Sequence, residues 1–145
     1  MNNKGFSLIE LIIVIAIMAI LTSALAPQLM KYIERSKAST DINNAQSIKT
    51  NINTCLADES AHQDVITHGM DPASPGYIQF TIDGEAPSDY TLISAGGGFD
   101  TELRSTITTW PKTKAASNDK FYCRIYVNKT IGTIEKVEVQ TTAFE

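Results

Sequence analysis

Residues 6 to 26 form an apolar run of 21 residues in which only Ser7, Glu10, Thr22 and Ser23 are polar. At about 1.5 Å per residue a helix of this length spans ~31 Å, the thickness of a bilayer core. A secretory signal carries a shorter apolar stretch and ends at a small-residue cleavage site. Here "TSALAPQLMKYIERSK" continues the run with helical periodicity instead. The run therefore predicts a retained membrane helix, and the C-terminal remainder of the chain must supply any globular core.

Glu10 is the anomaly in this run. A carboxylate at the centre of a membrane helix costs roughly 2.5–3.5 kcal/mol on insertion scales, so something should offset it. Snorkelling to water at the helix end is the plainest offset.

Beyond the run, Ile42, Ala45, Ile48, Ile52 and Cys55 recur at spacings of 3, 3, 4 and 3, a single apolar stripe on a helix. This predicts one helix from about Phe6 to Asp58, with 6–26 as the membrane or filament-core part and 27–58 as an amphipathic part. Pro27 lies inside it. It has no N–H for the Ser23 carbonyl, and in an isolated helix interior that costs ~3 kcal/mol or more. Pro27 is read as a weak point where the helix can bend or unwind.

Residues 58–76, "DESAHQDVITHGMDPASPG", read as a loop. "YIQFTID" alternates as a strand, with Ile78, Phe80 and Ile82 on one face. "DYTLISAGGG" is a weaker strand, and "DTELRSTITTW" reads as a short helix or a loop. "KFYCRIYVN" is the cleanest strand, with Phe121, Cys123, Ile125 and Val127 inward. "NKTIG" is a turn and "TIEKVEVQ" a returning strand, with Val137 and Val139 inward and a bulge at Ile134. The predicted fold is α+β: one long N-terminal helix packed on a small antiparallel sheet of three to four strands. Residues 59–145 form the sheet domain on 27–58.

The chain carries 12 Lys and Arg against 16 Asp and Glu, with no basic run, so the footprint of a nucleic-acid binder is missing. His62, Asp64 and His68 match no strong metal-ligand motif. Asp58, Glu59, Asp64 and Asp71 could offer oxygen ligands to Ca²⁺, and solvated loop residues are the simpler reading. No metal site, cofactor or catalytic residue is expected, and the chain is not read as an enzyme. Asn128-Lys129-Thr130 fits a glycosylation sequon. Trp110, Tyr122 and Tyr126 are read as packing aromatics, with subunit or ligand contact as the alternative. Counting positive charges, Lys4 before the run against Lys31, Arg35 and Lys37 after it, places the C-terminal side in the cytoplasm.

"KGFSLIEL" followed by an apolar helix resembles the class III signal of type IV prepilins and pseudopilins. Gly5, Phe6 and Glu10 stand in the family's order and spacing, and Pro27 matches a proline many members carry. The motif resemblance covers about the first 30 residues. It implies a leader of residues 1–5, cleaved between Gly5 and Phe6 by a prepilin peptidase, and N-methylation of the new Phe6 amine. It implies a subunit held first in the cytoplasmic membrane, N-terminus inside, and then lifted by a pilus assembly platform into a helical homopolymer outside the cell. That orientation opposes the charge count. Glu10, one helical turn from Phe6, would pair with the Phe6 amine of its own or a neighbouring subunit. A minor pilin, or a pseudopilin of a secretion or DNA-uptake machine, is the alternative. A single-span sensor or binding protein is the reading from another class.

The resemblance has one departure. Many members close a C-terminal loop with a disulfide, whereas here the cysteines are Cys55 and Cys123. The short leader and compact tail are more similar to Gram-positive, clostridial-type pilins. Cys55 is on the helix stripe and Cys123 on the inward strand face, so the two are expected to meet in the core. Outside the membrane they are expected to form a disulfide.

Overall fold

The computed structural model describes residues 7–87, 90 and 96–144. Gly5 and Phe6 lie outside the described residues, as does most of the weaker predicted strand at 89–98. The chain divides into two compact units, residues 1–36 and 37–145, called here the anchor unit and the sheet unit.

Helix α1 runs from Leu8 to Cys55 and contributes to both units. It is long and apolar enough to cross a membrane. In the anchor unit every side chain from Ser7 to Ile33 is exposed among the described residues. The helix passes through Pro27 without interruption.

In the sheet unit α1 buries Asp41, Ala45, Ile48, Ile52 and Cys55. The predicted stripe was one residue off at its start. Ile42 is 68% exposed, and Asp41 occupies the inward position. Spacings of 4, 3, 4 and 3 follow the 3.6-residue turn more closely than the predicted set, and an inward carboxylate is tolerated because other groups satisfy it.

Residues 58–76 are not a loop throughout. α1 stops at Cys55, three residues short of the predicted end, and Asp58 caps a new helix, α2 (Glu59–Gly69). The Asp58 carboxylate accepts the N–H groups of Ser60 and Ala61 at 2.9 and 3.1 Å. α2 buries Ala61, Val65 and Gly69, a spacing of four residues each. Gly69 allows a close approach: a Cβ there would lie 2.4 Å from Val127 Cγ2.

Three strands complete the unit, β1 (Tyr77–Ile82), β2 (Phe121–Asn128) and β3 (Thr133–Gln140), with α3 (Gly98–Thr106) between β1 and β2. They form one antiparallel sheet in the order β1-β2-β3. Phe80 stands opposite Cys123, and Ile78 opposite Ile125. The register slips between Tyr126 and Val127, which face Lys136 and Ile134, so the bulge expected at Ile134 is present. Tyr90 adds an isolated antiparallel bridge to Phe80. The α+β architecture is the one expected, with three strands.

The core is one cluster. Phe80, Phe99 and Tyr90 pack edge-on or tilted, with centroids 5.2 to 6.2 Å apart. Around them lie Ile48, Ile52, Val65, Leu103, Phe121 and Ile125, each essentially removed from solvent. Fully burying such a side chain is worth ~1.5–3 kcal/mol, so this cluster dominates the stability of the sheet unit.

Candidate functional site

The chemistry of the anchor unit is concentrated at the head of α1. Ser7 precedes the first helical residue, and Glu10 is three residues further on. The Glu10 carboxylate accepts the Ser7 backbone N–H at 2.9 Å. Ser-x-x-Glu in this geometry is the returning half of a capping box. The carboxylate thus satisfies an otherwise orphan amide at the positive end of the helix dipole, which offsets part of its cost in an apolar run. The signal for this local role is "SLIE" itself, and the sequence reading of Glu10 missed it. Ser23 Oγ donates to Ile20 O at 2.8 Å, one turn ahead of Pro27.

Three aspartates tie separate segments of the sheet unit together. Asp41, wholly buried, accepts the N–H groups of Lys114 and Ala115 at 2.8 and 3.0 Å and the Asn118 amide at 2.6 Å. It clasps the 113–118 segment to α1. Burial works to raise its carboxyl, but the hydrogen bonds from Ala115, Asn118 and Lys114 prevail and hold it below the usual carboxylate value.

Asp100 plays the same part at α3. It accepts the Tyr90 hydroxyl at 2.5 Å, the Gly96 N–H at 2.8 Å and Arg104 Nε at 2.8 Å. Arg104 in turn donates to Pro87 O at 2.6 Å. Burial raises the Asp100 carboxyl; the bonds from Arg104, Tyr90 and Gly96 outweigh it and leave it depressed. Burial first, then the bond to Asp100, pushes the Tyr90 hydroxyl well up.

The third, Asp64, supplies the cap that α3 lacks. Gly97 at its N-cap offers no side chain, and Asp64 on α2 accepts the Phe99 N–H at 3.0 Å. Gly98 makes this possible, since a Cβ there would lie 2.8 Å from Ser60 O. From sequence Asp64 reads as a solvated loop residue, with metal ligation as the alternative. Its other oxygen lies 3.0 Å from His68 Nδ1, while His62 Nδ1 lies 3.3 Å from Leu56 O. Among the described residues no three His, Cys, Asp or Glu side chains gather as a metal site.

Cys55 and Cys123 are both fully buried in the single core cluster. They are free thiols, not the bonded pair expected. The Cys55 thiol is directed at the Phe99 carbonyl at 3.7 Å, and Cys123 faces Phe80 across the sheet register. Burial, with the nearby charges of Glu102 and Asp58, pushes the Cys55 thiol up to about 12. Burial alone raises Cys123. Both behave as small apolar residues.

The outer sheet face has its own pattern. Arg124 forks onto Gln79 Oε1 at 2.7 and 3.1 Å. Its guanidinium lies 4.1 Å from the Tyr77 ring centroid and 4.0 Å from that of Phe144. Lys136 covers Tyr126 at 4.4 Å, and Lys120 lies over Tyr122 at 5.6 Å. The strand tyrosines are therefore packed by cations. Trp110 packs half-buried against the core. Asn128 of the sequon builds the turn: its Oδ1 accepts the N–H groups of Thr130 and Ile131, and its amide donates to Glu135.

A family model described as the prokaryotic N-terminal methylation motif matches residues 1–26. The chain is 44% identical over 62 residues to the type IV major fimbrial protein FimA of Dichelobacter nodosus, covering 43% of this chain and 40% of that protein. A fimbrial protein of the same organism is 30% identical over 132 residues, 90% of this chain and 69% of that protein. Prepilin peptidase-dependent protein A of Clostridium perfringens is 36% identical over 81 residues, 55% of this chain and 57% of that protein. Against FimA the chain spans well under half of the relative's length. No solved structure matches. A methylation motif heading a membrane-length helix, with a helix-on-sheet unit behind it, defines the class: proteins carrying a type IV prepilin signal. Within that class, the chain belongs to the type IV fimbrial protein family.

Proposed function

We propose that this chain is a pilin, a structural subunit that polymerises into a type IV pilus. Residues 1–5 are the leader, removed between Gly5 and Phe6 by a prepilin peptidase, and the Phe6 amine is then methylated. Before assembly the anchor unit sits in the cytoplasmic membrane; after assembly it lies in the filament core, with the sheet unit outside. Glu10 answers the new Phe6 amine, on its own chain in lipid and on a neighbour in the filament.

The observation that carries this reading is the anchor helix itself. A methylation motif heads it, and every side chain from Ser7 to Ile33 is exposed. Apolar surface on that scale needs lipid or other helices around it. A bilayer and a bundle of identical helices supply these in turn. The assay is intact-mass measurement on sheared surface filaments. The expected species lacks residues 1–5 and carries one added methyl group. Surface protein beginning at Met1, or no filament at all, refutes the reading.

A further inference from the structure

The apolar run gives way to an amphipathic turn and a half. Over residues 28–35, still within the anchor unit, α1 sorts its side chains to two sides. At about 100° per residue Gln28, Lys31, Tyr32 and Arg35 fall within roughly 100° of one another, and Leu29, Met30 and Ile33 take the opposite side. Lys31 and Arg35 stand one turn apart on the polar side, both exposed, and Tyr32 beside them is 72% exposed. Among the described residues the side chain of neither cation meets a hydrogen-bond acceptor or a carboxylate. Glu34, the acid of this turn, has a partner of its own.

Resting on the reading that the anchor unit waits in the membrane with Phe6 on the cytoplasmic side, we propose that Lys31, Tyr32 and Arg35 form a site for anionic phospholipid headgroups, in the leaflet at the far end of the helix from Phe6. Reach places them there. Leu8 to Met30 extends ~35 Å at about 1.5 Å per residue, against a hydrocarbon core of ~30 Å, so the turn after Met30 stands at headgroup level. Side-chain chemistry agrees. Tyrosine favours that level, with its ring against acyl chains and its hydroxyl in water. Arginine forks onto phosphate and lysine adds a point charge, while both lay their stems along apolar surface. The two cations find no opposite charge within the chain, and a net negative headgroup supplies it. The site also removes a conflict, because the positive charges after the run oppose the orientation that leader cleavage requires. Held by lipid phosphate on the far side, Lys31 and Arg35 become favourable there and fix the depth at which the subunit waits.

The test places the full chain in phosphatidylcholine nanodiscs carrying a minority of spin-labelled lipid, either phosphatidylglycerol or phosphatidylcholine. The motionally restricted fraction of label reports lipid in contact with the protein. Wild type is expected to prefer phosphatidylglycerol. A cation near an anionic surface is worth about fivefold, so Lys31→Gln and Arg35→Gln together are expected to remove most of that preference, while the total restricted fraction stays unchanged and shows that the variant is still inserted. Lys112→Gln, the same change of charge in the sheet unit, is expected to leave the preference as it is. Wild type without a preference, a double variant that keeps it, or an equal loss in Lys112→Gln overturns the site and leaves the membrane reading intact. A double variant that keeps the lipid preference but no longer forms filaments shows that the two cations serve another copy of the chain, and also overturns it. Absence of any restricted lipid signal from wild type counts against the membrane reading itself, and the site falls with it.

Discussion

Asp41 is wholly buried and its carboxylate accepts three hydrogen bonds from residues 114–118. Asp41→Asn keeps the volume and removes the charge. Its remaining oxygen can serve Ala115 and Asn118, but the new amide then faces the Lys114 N–H, donor against donor. A buried hydrogen bond to a charged group is worth about 1.5–3 kcal/mol, and a buried unsatisfied donor costs about 1–3. With two bonds weakened and one lost, destabilisation of ~3 kcal/mol is expected. For a unit of about 100 residues this lowers Tm by roughly 12 °C.

The pH dependence carries a sign. Asp41 is depressed in the folded state relative to 3.8, so the unfolded chain binds the proton more readily. Its contribution is present above the unfolded value and is lost as pH falls through the lower folded value. The gap between wild type and Asp41→Asn should therefore be full at pH 7 and shrink below about pH 4. Thermal melts of the full chain in detergent across this range test it, and amide exchange at Lys114 and Ala115 should rise in the variant. Melting within about 2 °C of wild type at pH 7 would refute the reasoning.

Three further outcomes are expected. Glu10→Ala should insert and be processed, because an alanine is easier to hold in lipid, yet assemble poorly; normal filament yield with the variant as sole subunit counts against the pairing role. In filament density the helix should bend or unwind around Pro27, where the Ser23 carbonyl lacks its donor; straight, continuous helix through residues 20–30 excludes it. Native protein should resist thiol alkylation at neutral pH and take up two labels per chain once denatured; rapid labelling of the folded chain, or no labelling of the denatured one, contradicts the buried free thiols.

Much of this protein is legible in one dimension because its strongest signals are local. A membrane-length apolar run declares itself by composition. The Gly5-Phe6-Glu10 spacing and the alternation of Phe121 to Val127 need no knowledge of what lies across the chain. Even the Ile134 bulge shows as a break in parity, since a strand's two faces are written alternately. The tertiary structure decided the partners of polar groups. Asp41 replaces Ile42 on the buried face because a segment more than 70 residues later brings it three donors. Hydropathy ranks the isoleucine inward and has no access to those donors. Asp58 reads as the end of the long helix and is instead the cap of α2, because α1 stops at Cys55 and α2 finds its own apolar seat through Ala61, Val65 and Gly69. Asp64 caps a helix that carries only glycine at its own N-cap. The cysteines obey the same rule: their inward faces were legible from periodicity, but the neighbour each thiol faces depends on how helix and sheet slide together. Periodicity says which way a side chain faces; only packing says what meets it there.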